Sequence, residues 1–417
     1  MNDGGGARAR RGAIDIARSS SLALVVVAHL TMVVLDRAPD GSLRGVNLFE
    51  LYPRFEWITM LSPMPLFFVA SGWANVGSSL ASRMRRVVVL LALATVVAAG
   101  WSLAALVERA VTGGNGIVAD GSRIATQPLW FLTAWIPFTV FSDVLTRAAR
   151  RIIPTVGTCL LLLVVTDVVR FVAGAPRWIG YPGFFIAWAV PWLMGAWWRQ
   201  RHDTSPIHEG RTGRAIAGGS IAVAVVLVAF FSYHPALIDA VPGHRSNTTP
   251  PTLFTGVASL VQVGLFMILA RSLDAVAARR DQTIRSLDAI APGLYVWHLT
   301  ALSLWGALLA AGAWAPDRLS WQWWASRPLW FAAVIATSIA FSLATRRLTT
   351  RLVSMPVRAD AGRNGVVLVP TLVATVAFGL VGLYGPDTTG MAITVTALCA
   401  VACGVMVAGV RDTKTIS

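Results

Sequence analysis

Residues 15–29 read D-I-A-R-S-S-S-L-A-L-V-V-V-A-H, an apolar run that carries an acid, a base and an imidazole. Wound as an α-helix at about 100° per residue, the path from Arg18 to His29 closes three turns and roughly 20° more. Arg18, Leu22, Val25 and His29 therefore share one stripe. The two polar groups lie about 16 Å apart along the axis, at about 1.5 Å per residue. Asp15 stands one turn before Arg18, within pairing reach. Ser19, Ser20 and Ser21 are small enough to let another helix or a ligand come close. Ionisable groups in a membrane helix are costly unless they face a polar cavity or pair with one another. The stripe is expected to line such a cavity.

The rest of the chain fits a membrane reading. Its 417 residues are 55% hydrophobic and 13% charged, with a mean hydropathy of +0.64. That composition predicts an all-α fold, a polytopic transmembrane helix bundle in which the lipid bilayer is the solvent. Apolar runs fall at 14–35, 55–76, 87–108, 128–146, 152–172, 182–198, 215–233, 252–270, 286–312, 328–345, 365–383 and 389–410. About ten form a core domain, 1–350. The last two, with a short tail, make up 351–417. The run at 182–198 is short and holds Pro191. The first run lacks an A-x-A site and is expected to remain as an uncleaved span.

The net charge of +15 does not imply a nucleic acid partner. Most Lys and Arg fall in alternate connecting segments, as the positive-inside rule demands. This puts both termini in the cytoplasm and the chain in the plasma membrane as a multi-pass protein. Cys159, Cys399 and Cys403 lie in apolar runs and are expected to pack rather than pair. Two outer loops, 36–54 and 234–251, are long enough to shape a site. Trp314, Trp321, Trp323 and Trp324 cluster near the start of the tenth run, as interfacial anchors or as a platform for a sugar ring.

Several groups could carry chemistry. His29 is either a packing histidine or a general base, since neutral imidazole titrates near neutral pH. Arg18 is either a topology-setting residue or a phosphate ligand at the cytoplasmic mouth. Residues 63–75, P-M-P-L-F-F-V-A-S-G-W-A-N, offer a Pro65 kink, with Ser71, Gly72 and Asn75 for close helix approach. Arg83, Arg85 and Arg86 follow, as topology signals or as contacts for an anionic cofactor. Residues 127–135 place Trp130 at the mouth of the fourth span. Residues 293–298, G-L-Y-V-W-H, bring Tyr295 and His298 to membrane depth, for packing or for the cavity. No P-loop, H-E-x-x-H, zinc-spaced Cys/His cluster or G-x-S-x-G elbow occurs, so no metal is implied. His234 and Asp239 spell H-x-x-x-x-D, a short pattern discounted because it falls in an outer loop.

These elements in order resemble the membrane acyltransferase-3 family. Asp15, Arg18 and His29 match its first-helix pattern. Pro65, Leu66, Phe67, Phe68, Ser71 and Gly72 match its second-helix element, and Arg83 and Arg86 match the basic pair after it. Residues 129–132 (L-W-F-L) and 295–298 (Y-V-W-H) match two more. Ser19 stands where members commonly have glycine, and the last two spans lie outside the resemblance.

The resemblance implies an acyl-CoA-dependent enzyme with acetyl-CoA as the default donor. The acceptor is a hydroxyl of a cell-envelope glycan, a glycolipid or an exported metabolite. On that reading His29, Arg18 and Asp15 are catalytic. Arg18, Ser71, Arg83 and Arg86 hold the cofactor. Trp130, Tyr295 and His298 line the substrate cavity. A secondary transporter of twelve spans is the rival expectation, although no paired halves with interrupted helices are visible.

Overall fold

The computed structural model describes residues 11–37, 43–113, 116–204, 207–238, 246–310, 317, 319–354, 373 and 376. The chain opens with α1 (Gly12–Met32), which passes directly into a hairpin of β1 (Val33–Arg37) and β2 (Leu43–Asn47). The strands pair antiparallel with Val33 opposite Asn47. After α2 (Leu48–Leu51) and a 3-10 helix (Pro53–Leu61) come α3 (Met64–Asn75), α4 (Leu80–Thr112) and α5 (Ile117–Thr126). Next are α6 (Trp130–Val140), α7 (Ser142–Ala149), α8 (Ile152–Phe171), α9 (Gly183–Thr204) and α10 (Glu209–Phe231). The described chain continues through α11 (Leu253–Arg279), α12 (Asp281–Ala310), α13 (Trp321–Ala344) and α14 (Arg346–Ser354).

Among the described residues, eight helices are long and apolar enough to cross a membrane. A ninth crossing arises if the segment 121–149, bent by 74°, counts as one broken span. α12 is 30 residues long and occupies the expected ninth run. The fold is the all-α polytopic bundle that the sequence predicts. The two expected C-terminal spans, and Trp314, lie outside the described residues.

Local sequence explains the ends of these helices. Ser79 and Ser320 cap α4 and α13 by accepting from the backbone N–H of Ser82 and Trp323, which satisfies donors that a helix start leaves orphaned. Gly113, at φ 74°, ends α4 in the left-handed conformation that glycine tolerates. α1 lacks a side-chain cap of its own. Asp274 of α11 serves instead, accepting from the backbone N–H of Ala13 at 2.7 Å.

Burial separates centre from rim. The most apolar window of α9 is 67% buried, against 11% for α8, so α9 is central and α8 faces lipid. Trp188, Trp192 and Trp198 of α9 are among the most deeply buried side chains. α9 lies tight against α3: a Cβ at Gly72 would run into the carbonyl of Trp192, and one at Gly195 into that of Val69. The small residues of 63–75 thus permit a close crossing, as expected.

Three expectations change. Pro65 does not kink a long helix; it sits in the first turn of α3, where its missing N–H costs nothing. The helix type changes before it, where the 3-10 helix stops at Leu61 and Ser62 leaves the helical region. The short run at 182–198 is the first part of a 22-residue helix that accommodates Pro191 and continues to Thr204. The loop 36–54 contains the β-hairpin and the start of the 3-10 helix. The unforeseen break between α6 and α7 follows Pro137 and turns at Phe141, whose φ −89° and ψ 18° leave the helical region.

Candidate active site

α1 and α12 lie side by side and are clasped at two levels. At one, Arg18 donates to Asp288 at 2.5 and 3.3 Å and to Asp15 at 3.3 Å. Ser19 donates to the same Asp288 carboxylate and to the Asp15 carbonyl. At the other, His29 Nδ1 stands 2.8 Å from His298 Nε2. Arg18 to His29 on α1 and Asp288 to His298 on α12 span nearly equal lengths of helix. The two helices therefore run parallel, with their polar groups in register. Asp15 pairs with Arg18 as the spacing predicts.

His29 forms part of the wall of a cavity of about 500 Å³. Val25, Ala28 and Met32 of α1 line it too; Leu22 instead packs against the hydrophobic core, and Arg18 is not in the lining. Only the His29 half of the stripe meets the expected cavity. Trp130, Trp188 and Tyr295 give it aromatic walls, and the Tyr295 hydroxyl donates to the carbonyl of Pro128, another lining residue, at 2.5 Å. Asn47, Ser62, Gln127, Thr248 and Thr249 supply its polar groups. Among the described residues, no Asp, Glu, Lys or Arg lines it. Trp130 and Tyr295, two of the three residues expected at a substrate cavity, line this space. His298 does not line the cavity; it is fully buried behind His29.

The other end of the bundle gathers Arg18, Arg83 and Arg86, close enough that the charges of Arg18 and Arg83 act on Arg86. Their surroundings differ. Arg83 is 1% exposed and holds α7, donating to Ser142 and, at 2.6 and 2.8 Å, to both carboxylate oxygens of Asp143. Arg86 is exposed and donates to neutral groups, Asn75 at 2.6 Å and Ser82 at 3.4 Å. Ser71 joins the same chain, accepting from Asn75 at 3.4 Å. Of the four expected cofactor residues, two are held in internal ion pairs: Arg18 with Asp288 and Asp15, and the fully buried Arg83 with Asp143.

A hollow of about 800 Å³ opens nearby among Arg11, Asp15, Glu209, Asp274 and Asp281. Its carboxylates make it a poor seat for a polyphosphate. Among the described residues, no group of three His, Cys, Asp or Glu side chains could hold a metal. The described Trp residues of α13 line neither space; Trp323 stacks under Arg327 at 4.0 Å and packs with Val34 and Leu48 of the hairpin segment. Residue His234 contacts Glu56 at 3.6 Å, while Asp239 lies outside the described residues.

Sequence reasoning did not single out Asp288, the partner of both Arg18 and Ser19. The available signal was an acid preceding His298 on α12 by nearly the spacing that separates Arg18 from His29, one residue shorter. Trp188 was also missed, because it sits in a run that reads as plain core.

The described residues form a polytopic membrane bundle with His29 in a cavity, whose described lining is uncharged, toward one end and an arginine cluster at the other. The acyltransferase domain model matches residues 11–347, and the chain belongs to the acyltransferase-3 family. No match was found among curated proteins or among solved structures. The protein is a multi-pass membrane acyltransferase. The matched domain gives no support to the rival expectation of a transporter.

Proposed function

We propose that the protein moves an acyl group, acetyl by family default, from cytoplasmic acyl-CoA to a hydroxyl of an uncharged acceptor: a cell-envelope glycan, a glycolipid or an exported metabolite. The observation that carries this reading is His29 in the wall of a cavity whose described lining holds no charged side chain. Trp130, only partly buried, offers an apolar face to a ring, and the amides and hydroxyls around it suit a polyol. An anionic acceptor would find no cation among the described lining residues.

In the reaction, His29 takes the proton from the acceptor hydroxyl as its oxygen attacks the thioester carbonyl. The C–O bond forms, the C–S bond breaks, and the CoA thiolate leaves with the proton that His29 has taken. Arg18 and Arg86 bind the anionic part of the donor through charge-assisted bonds. Asp15 and Asp288 hold the Arg18 guanidinium in place until the donor competes for it. Arg83, tied to Asp143, supports the site through packing and charge rather than by contact. The positive-inside rule supports an arginine end that faces the cytoplasm, in the plasma membrane of the proposal.

The test is release of CoA thiol by the purified protein in lipid nanodiscs, with acetyl-CoA and a panel of neutral and anionic polyols. His29→Ala should abolish turnover and keep donor binding. Arg18→Gln should weaken donor binding. Undiminished turnover in His29→Ala sinks the mechanism, and a preference for anionic acceptors sinks the acceptor class.

A further inference from the structure

The contacts behind His29 determine where its proton sits. His298 Nδ1 lies 2.7 Å from the Tyr295 carbonyl oxygen and 3.2 Å from that of Leu294. A carbonyl only accepts, so Nδ1 carries the hydrogen. In the neutral ring, Nε2 is then a bare acceptor. His29 Nδ1 faces that nitrogen at 2.8 Å. Two bare nitrogens do not meet at such a distance, so His29 Nδ1 is protonated and donates. The centroids are 5.1 Å apart and the planes within 14°, close to the N–N distance plus both ring radii. The rings therefore meet edge to edge in one plane, as a hydrogen bond requires, and not face to face.

We infer that His298 is a positioning residue: it holds His29 in the Nδ1–H tautomer, leaving His29 Nε2 as the unprotonated nitrogen. The chain runs from the Tyr295 carbonyl through His298 to His29. An orienting acceptor does the same work for the base of a catalytic triad, where the wrong tautomer costs up to about 10⁴-fold in rate. Here the acceptor is an uncharged imidazole on a neighbouring helix. It is buried at 0% exposure, so water cannot offer a competing bond. The catalytic value of this arrangement rests on His29 being the base, whereas the tautomer itself does not.

Two measurements separate those claims. The first is ¹⁵N magnetic resonance of histidine-labelled full-length protein in nanodiscs, with His29 and His298 assigned through single variants. Both rings should show protonated Nδ1 and bare Nε2. A protonated Nε2 on His29 overturns the inference whether or not the protein turns over. The second compares His298→Leu with His298→Gln, whose side-chain oxygen can accept from His29 Nδ1. His298→Leu should lose at least about 10²-fold in kcat with donor KM unchanged, and His298→Gln should recover most of that loss. Equal activity in wild type and both variants, with the tautomer confirmed, removes the base assignment and keeps the hydrogen-bond relay. Equal loss in both folded variants makes His298 a packing residue and overturns the positioning role.

Discussion

Arg83 and Arg86 lie nearly one turn apart on one helix, yet their environments assign them different work. Burial of Arg83 makes its bond to Asp143 structural. Asp143→Ala should lower stability by about 1–3 kcal/mol, nearer the low end because the lost carboxylate is itself mostly exposed. The unfolding midpoint in detergent should fall while affinity for acyl-CoA holds. Arg86→Gln should do the reverse, leaving the midpoint and weakening donor binding about tenfold, the worth of one charge-assisted bond of roughly 1.5 kcal/mol. A titration of acyl-CoA showing no loss in Arg86→Gln would take Arg86 out of the donor site. The two arginines could not be separated from sequence. They belong to one basic run, and the acid that distinguishes them is 60 residues away. Arg18 and His29 were legible because a single helix fixes their spacing. Asp288 was not, since its pairing with Arg18 crosses 270 residues and depends on how α12 lies against α1.

At the scale of elements, two contacts set the frame around that pair. Gly72 and Gly195 face each other's helix backbone, so α3 and α9 touch without side chains between them. Gly72→Ala should cost about 1–3 kcal/mol through overpacking, and the double variant with Gly195→Ala should cost less than the sum if one shift of the helices relieves both. Strict additivity in thermal unfolding would show that the two sites give way independently. The second contact anchors the start of α1. Arg11 is bound by both Glu209 oxygens at 2.6 and 2.8 Å, and it lies over the rings of Trp198 at 4.6 Å and Trp73 at 5.2 Å. Both partners of this ion pair are about nine-tenths buried. Glu209→Ala leaves a buried guanidinium short of its main partner and should destabilise by about 3–5 kcal/mol. A midpoint within error of wild type would mean that Asp274 and the indole faces suffice. The S-G pair of α3 was readable as a close-approach signal, but its partner glycine was one of many in apolar runs. The break at Phe141 had only Pro137 as a hint, because a bend between apolar helices leaves the hydrophobic pattern unchanged.

For the whole molecule, the placing of the apolar helices was legible because each crossing needs about 20 apolar residues, but their number was not: against twelve expected runs, eight described helices meet that measure, or nine with the bent pair, and the last two runs lie outside the described residues. Which face meets the cytoplasm is a separate matter, carried by charge. The start of α1, the end of α9, the starts of α10 and α12 and the end of α11 meet at one face, joined by Arg11, Glu209, Asp274 and the Arg18–Asp288 pair. Arg83 and Arg86 belong to that same face. The cavity lies toward the opposite one, where Arg177 donates to the Thr249 carbonyl at 2.6 and 3.1 Å. Acyl-CoA is a cytoplasmic metabolite too polar to cross a bilayer, so the proposed reaction requires the arginine face to be cytoplasmic. Single cysteines can test this in a chain whose native cysteines are replaced. Arg85→Cys and Arg201→Cys should resist a membrane-impermeant maleimide in intact cells and react once the membrane is opened. Gly174→Cys and Trp178→Cys, at exposed positions beyond α8, should react from outside. The reverse pattern would put His29 on the donor's side of the membrane and the arginines on the other. It would leave the fold and family untouched while removing cytoplasmic acyl-CoA as the molecule that Arg18 and Arg86 bind.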